Sequence, residues 1–133
     1  MYLLDTNILS YARKPGNPAT DWLKSKASPL LFMSVITLGE IERGVAMKER
    51  SDRKAAESLA AWLQAIRTVY ADRVLPVNDS IAAAWGRLAA LRTRGDADGL
   101  IAATALVHEL VLVTRNTRDF DDAGVKLFDP WNP

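Results

Sequence analysis

Gly95-Asp96-Ala97-Asp98-Gly99-Leu100-Ile101-Ala102-Ala103-Thr104-Ala105 is the stretch on which the fold turns. The run from Leu100 to Leu110 is predominantly apolar on every side. A helix of that kind belongs inside a core rather than on a surface. Asp98 stands where this helix is expected to begin. There the unpaired backbone N–H groups and the positive end of the helix dipole favour a carboxylate. Taken alone, Asp98 reads as an N-cap, a role for which Asp is among the preferred residues. Its further meaning depends on whether other carboxylates reach the same place.

Working outward, short apolar runs alternate with helical spacings. Tyr2-Leu3-Leu4 reads as a buried strand ended by Asp5, and Ile8 to Ala12 as a helix stopping near Pro15-Gly16. Pro18 to Lys26 is a second helix, with proline at its start. Leu30 to Met33 is a buried strand between Pro29 and Ser34. Helices are expected over Val35–Met47, Ser51–Tyr70 and Asp79–Arg94, and strands over Val74–Val77, Val111–Thr114 and Val125–Phe128. Pro76 places the third strand at an end or edge. This alternation predicts an α/β fold: a mostly parallel sheet with helices on both faces. Residues 1–133 are expected to form one domain with one sizeable core.

Composition narrows the functions. The chain is 49% hydrophobic and 25% charged, with a net charge of +1. No globally basic surface demands nucleic acid, so polyanion binding would rest on local clusters. No apolar run approaches the roughly 18 residues of a membrane span. The start Met1-Tyr2-Leu3-Leu4-Asp5 lacks the basic and long apolar regions of a secretory leader. The absence of cysteine excludes disulfides, a thiolate zinc site and a thiol nucleophile. A cytoplasmic location is expected.

Ligands of an open parallel sheet bind beyond the carboxyl ends of its strands. Asp5 lies at such an end, and Asp119 lies five residues past Thr114 in the loop after another. Glu40 shares a helix face with Ile36, Gly44 and Met47, whereas Leu38, Ile41 and Val45 make the core stripe. A carboxylate set in a largely apolar face is costly unless something pairs with it. Each acid also has a plain structural reading. Asp5 could cap the first helix, Glu40 could pair with Arg43, and Asp119 could be a solvated loop residue. For Asp121 and Asp122 the solvated reading is preferred. Four acids brought to one end of one sheet would say more. Two unit charges ~4 Å apart at an effective dielectric near 20 repel by roughly 4 kcal/mol. Such a cluster calls for a divalent cation, and all-oxygen ligation suits Mg²⁺ or Mn²⁺.

Four segments then carry a family resemblance: Leu3-Leu4-Asp5-Thr6-Asn7, Ser34 to Gly44, Asp98 to Ala105, and Val113 to Phe120. Together and in this order they resemble the PIN-domain family, and most of all the VapC-type toxins of bacterial toxin–antitoxin pairs. The resemblance implies a three-layer α/β/α fold and a metal-dependent endoribonuclease. It implies that Asp5, Glu40 and Asp98 are metal-site acids, with Thr6 as a supporting hydroxyl. The fourth acid is carried to Asp119, with Asn116 as a neutral ligand or supporting group. It also implies an RNA substrate, a small antitoxin partner and self-association as a homodimer.

The chemistry read from the residues agrees. The only histidine, His108, is far from the helix start, so paired imidazoles are excluded. There is no Gly-x-Ser-x-Gly elbow and no phosphate-binding Gly-x-x-x-x-Gly-Lys loop. Metal-assisted hydrolysis remains. Asp5 and Asp98 are the expected ligands, and Glu40 is either a ligand or the base for the attacking water. Asp119 helps hold a metal or positions that water. Arg13, Lys14, Arg92, Arg94, Arg115 and Arg118 flank the acidic segments and could hold RNA phosphates or form a solvated rim. A dehalogenase-like phosphatase is disfavoured because Asn7 stands where it needs a second Asp. A phosphate-accepting receiver is disfavoured because the required Lys and adjacent acids are missing. The remaining alternative is a non-catalytic PIN-fold module that binds RNA or protein.

Overall fold

The computed structural model describes residues 1–133. In chain order the elements are β1 (Tyr2–Leu4), α1 (Thr6–Ala12), α2 (Pro18–Lys24), β2 (Leu31–Ser34), α3 (Val35–Ser51), α4 (Arg53–Val69), β3 (Val74–Leu75), α5 (Asp79–Leu91), α6 (Asp96–Val107), β4 (Val111–Val113) and β5 (Leu127–Phe128). All strand pairings are parallel, in the order β3-β2-β1-β4-β5. The expected α/β architecture with a parallel sheet is therefore present. No helix is long and apolar enough to cross a membrane.

The expected single core is two, because the sheet buries both faces. Leu3 and Leu112 face Ile81 and Leu88 of α5 and Ile101 to Ala105 of α6. Leu4, Met33 and Val113 face Ile8 and Leu9 of α1, Leu38, Ile41 and Val45 of α3, and Leu63 of α4. Adjacent strand residues thus serve opposite cores, as the two-residue period of a strand requires. That is the three-layer arrangement. The central helix is as buried as its composition demands, with Gly99 and Ile101 through Ala105 all out of solvent.

Boundaries shift where local chemistry intervenes. Pro76 lacks an N–H for the ladder, and β3 stops at Leu75 instead of Val77. Asp52 caps α4 by accepting the Ala55 N–H at 3.1 Å, so that helix begins at Arg53 rather than Ser51. Asp98 is not the N-cap expected of it. Gly95 holds the cap position in extended conformation, and the first helical bond runs from Gly99 N–H to Gly95 O at 3.0 Å. Asp96 and Asp98 both lie in the first turn, where the helix dipole favours negative charge.

Gly99 is required by a close approach. A Cβ there would lie 2.9 Å from Trp85 Cδ1 and 3.1 Å from its Nε1. Trp85 belongs to α5 and packs against the α5–α6 core, so the ring cannot yield freely. Gly99→Ala should lower the melting temperature by several degrees. Overpacking costs typically about 1–3 kcal/mol, against about 1 kcal/mol gained from helix propensity. Restoration by a second change, Trp85→Phe, would attribute the loss to this contact; an unaltered melting temperature in Gly99→Ala alone would refute it.

Candidate active site

β1 is central: β2 and β3 follow on one side of it and β4 and β5 on the other, so the strand order reverses at β1/β4. Open α/β sheets bind ligands at such a switch, beyond the strand carboxyl ends. Leu4 pairs with Val113 across β1/β4, so the next residues, Asp5 and Thr114, stand side by side at that edge.

Asp5 is 5% exposed. Its Oδ1 accepts the Thr6 N–H at 2.8 Å, capping α1, and its Oδ2 accepts the Thr114 hydroxyl at 2.8 Å. Its own N–H donates to Val113 O at 2.9 Å. The capping reading therefore holds, and the second carboxylate oxygen is taken by a hydroxyl from the neighbouring strand end. Burial raises the Asp5 pKa from 3.8 to about 6, opposed by the Thr114 hydrogen bond and reinforced by the charges of Asp98 and Glu40.

Glu40 comes from α3, where Thr37 lies one turn earlier and fully buried. Neither Arg43 nor any other cation pairs with it. The Thr6 hydroxyl donates to Glu40 Oε1 at 2.6 Å and lies 3.0 Å from the Thr37 hydroxyl. Glu42, on another face of the helix, meets Arg67 at 3.5 Å in solvent. Asp98, half-buried in the first turn of α6, has a raised pKa. Burial is the largest cause, followed by repulsion from Glu40 and Asp119, with Arg94 opposing. No hydrogen bond is among the influences on it.

Asp5, Thr6, Asn7, Ser10, Tyr11, Lys14, Glu40 and Asp98 line one open cavity of ≈ 510 Å³. Three of the four predicted acids thus share a cleft. Asp119 does not line it. It is exposed on a 3₁₀ turn, Thr117–Asp119, in a neighbouring depression with Arg115, Asn116 and Arg118. It reaches the cleft through its charge, felt at Asp98. Asn116 contributes its backbone, the N–H donating to the Thr114 hydroxyl at 3.0 Å.

Several basic residues have other partners. Arg94 has a side chain only 4% exposed; it bonds both Asp122 oxygens at 3.1 and 3.2 Å and the Asp119 carbonyl at 3.1 Å. Arg92 holds Asp121 at 3.2 Å and the Arg118 carbonyl at 3.0 Å. Asp121 and Asp122 are accordingly ion-pair partners rather than merely solvated residues. The two arginines, arriving just before α6, tie the loop that carries Asp119 beside the helix that carries Asp98. Arg94 is too buried for the RNA contact expected of it. Arg13 stacks on Trp62 at 5.0 Å, while Lys14 lines the cleft. His108 is exposed past the far end of α6.

Sequence reasoning missed Thr114, Thr37, Ser10 and Tyr11. Thr114 could have been found: it ends the apolar run of β4 just as Asp5 ends that of β1. Thr37 precedes Glu40 by three residues, one helical turn.

The donors fit a hard divalent cation in chemistry and charge. The cleft supplies carboxylate and hydroxyl oxygens and neither sulfur nor imidazole. Asp5 and Asp98 are each repelled by Glu40, and the groups that oppose this leave both pKa values raised. Asn7 Oδ1 is buried with no hydrogen-bond partner, an acceptor left over in a lining residue. No three acidic side chains already form a group that could hold an ion. The fit is one of donor type and charge, not of a finished coordination shell.

A parallel sheet of this order with an acidic cleft at its switch point defines a class, and the comparisons agree on it: the family model of the PIN domain matches residues 2–126, and the chain belongs to that family. Among curated relatives it is 36% identical to Toxin FitB of Neisseria gonorrhoeae over a gapped alignment of 141 positions, covering 99% of each chain. It is 30% identical to VapC ribonuclease Y4jK of Sinorhizobium fredii, covering 100% of this chain and 99% of the relative. Among solved structures it is similar to FitAcB from Neisseria gonorrhoeae, with a TM-score of 0.88, 35% identity and complete coverage of both chains.

Proposed function

We propose that this chain is a divalent-metal-dependent endoribonuclease that acts as the toxin of a toxin–antitoxin pair. The observation that carries the chemistry is the convergence of Asp5, Glu40 and Asp98 on one cleft with no cationic partner for Asp5 or Glu40. The names of the relatives, a toxin and a ribonuclease, support the substrate class and the biological role.

Asp5 and Asp98 would hold Mg²⁺ or Mn²⁺, which when bound lowers the pKa of water and offsets charge on the leaving oxygen. Thr114 and the Thr6 N–H orient the two Asp5 oxygens from behind. The Thr6 hydroxyl orients Glu40 through Oε1. Oε2 is then free of that bond, as a ligand or as the oxygen that takes the proton of the attacking water. Asp119 adds negative charge from the rim through the loop that Arg92 and Arg94 hold.

The antitoxin would seat on the α3–α4 hairpin. α4 packs mainly on α3, leaving Leu59, Trp62 and Ile66 half-buried and Met47 and Val69 exposed, at 60% and 58%. An amphipathic segment laid along such a face would bury it.

Purified protein should cut generic RNA with Mg²⁺ or Mn²⁺ and stop on addition of EDTA. Expression alone should arrest growth, and co-expression of the adjacent small open reading frame should relieve the arrest. RNA that is bound but left intact in Mg²⁺ and Mn²⁺ would instead leave the non-catalytic binding module. Harmless expression of folded protein would remove the toxin role.

A further inference from the structure

Arg115 follows Thr114 immediately and stands between the acidic cleft and the depression that holds Asp119. It is exposed, yet it is fixed. Its Nη1 donates to the Tyr11 hydroxyl at 2.8 Å, and Tyr11 lines the cleft. The guanidinium lies 4.3 Å from the Trp131 ring centroid and 5.1 Å from that of Tyr11. The two rings meet edge to face, with centroids 4.7 Å apart. Trp131 is itself held at the end of the chain: its N–H donates to Asp129 Oδ1 at 2.9 Å, and the Asn132 N–H closes the turn on Asp129 O at 3.0 Å.

Arg115 takes part in none of the ion pairs. Arg92 and Arg94 are tied to Asp121 and Asp122, and Arg13 is laid on α4. Arg115 is thus a guanidinium at the cleft mouth that is in direct ion pairing with no carboxylate and is flanked by two aromatic rings. Guanidinium offers five N–H donors in a rigid fork suited to phosphate, and stacking on a ring leaves its edge available. One of those donors is used on Tyr11.

We propose that Arg115 grips an RNA phosphate beside the one being cleaved, and that Trp131 of the C-terminal tail is the positioning residue that holds Arg115 ready. This rests on the RNA-cleaving reading above and extends it to the track of the strand over the rim. The contact is to backbone, so it adds affinity without base preference. Prior ordering by Trp131 and Tyr11 lowers the entropy lost when phosphate binds.

The test measures the affinity of a fluorescein-labelled oligouridine by anisotropy in EDTA at several salt concentrations, and KM and kcat for its cleavage in Mg²⁺. Arg115→Ala should weaken binding and raise KM by about tenfold, as for loss of one charge-assisted hydrogen bond. It should flatten the salt slope by about one while kcat changes little. Trp131→Ala should move the same readouts in the same direction by a smaller factor, and Trp131→Phe, which keeps a ring for Arg115, should restore them. Wild-type affinity and salt slope in both Arg115→Ala and Trp131→Ala would overturn the proposal. So would a Trp131→Ala protein that melts lower but binds RNA normally, since Trp131 would then be structural only. If wild type binds the oligonucleotide but never cuts it, the nuclease reading fails, and the binding data still decide for or against Arg115. A wild type that does not bind RNA overturns both.

Discussion

Asp98→Asn is expected to abolish RNA cleavage while leaving the metal-free protein as stable as wild type, or more so. Asp98 is not the cap of α6, so no capping bond is lost. Its carboxylate sits half-buried among Glu40 and Asp119, opposed only by Arg94, and the net result is a raised pKa. An amide of the same size removes that repulsion. It also removes a carboxylate proposed above as a metal ligand. A bound cation supplies several kcal/mol of transition-state charge stabilisation, and each ~1.4 kcal/mol is about tenfold in rate. The activity loss should therefore exceed about a hundredfold. Mg²⁺ should raise the melting temperature of wild type, because a ligand of the folded state stabilises it by mass action. It should raise that of the variant much less. Thermal melts of both proteins in EDTA and in Mg²⁺, beside the cleavage assay, check this. A destabilised variant, indifferent to Mg²⁺ and still active, would show that Asp98 is structural.

In the metal-free protein, Asp5 should contribute stability that is lost as pH rises from about 4 to about 6, the reverse of the usual carboxylate contribution. Asp5 titrates near 6 in the folded protein against 3.8 for an ordinary Asp, chiefly because burial disfavours its charge. The folded state therefore binds this proton more tightly than the unfolded chain. The stability it contributes is fully present below pH 3.8 and is lost as pH climbs through 6. A shift of this size corresponds to about 3 kcal/mol. Asp98 is shifted in the same direction and adds to the trend. Asp5→Asn keeps an oxygen for the Thr6 N–H and removes the titration. The unfolding free energy of wild type minus that of Asp5→Asn, from urea melts in EDTA, should fall across this window. A difference that stays constant with pH would mean that Asp5 is not held against its charge. Because a cation competes with that proton, Mg²⁺ should flatten the dependence in wild type.

Much of the fold was legible along the chain. The apolar runs at Tyr2–Leu4, Leu31–Met33 and Val111–Val113 mark the strands because a parallel strand covered on both faces must be apolar throughout. The leucine and alanine content of Leu100–Ala105 marks a helix with no polar face to show solvent. The candidate acids were legible for the same local reason: Asp5 ends a strand, Asp98 opens a buried helix, and Glu40 interrupts an apolar face. Each is a charge set where water is scarce.

What the linear order could not convey is partnership, because partners are set by register and loop path rather than by neighbours in sequence. Thr114 became the hydroxyl behind Asp5 only when Leu4 paired with Val113. Thr6 and Glu40 met only because α1 and α3 pack side by side. Arg94 looked like a rim cation and turned out to be buried against Asp122, while Asp119 stayed outside the cleft on a turn that Arg94 holds by the carbonyl. The sequence by itself determined which groups are costly to bury and which segments must be covered, since both follow from each residue's own chemistry. The tertiary structure alone decided which of those charges face one another, because that depends on how two helical layers close over a single parallel sheet.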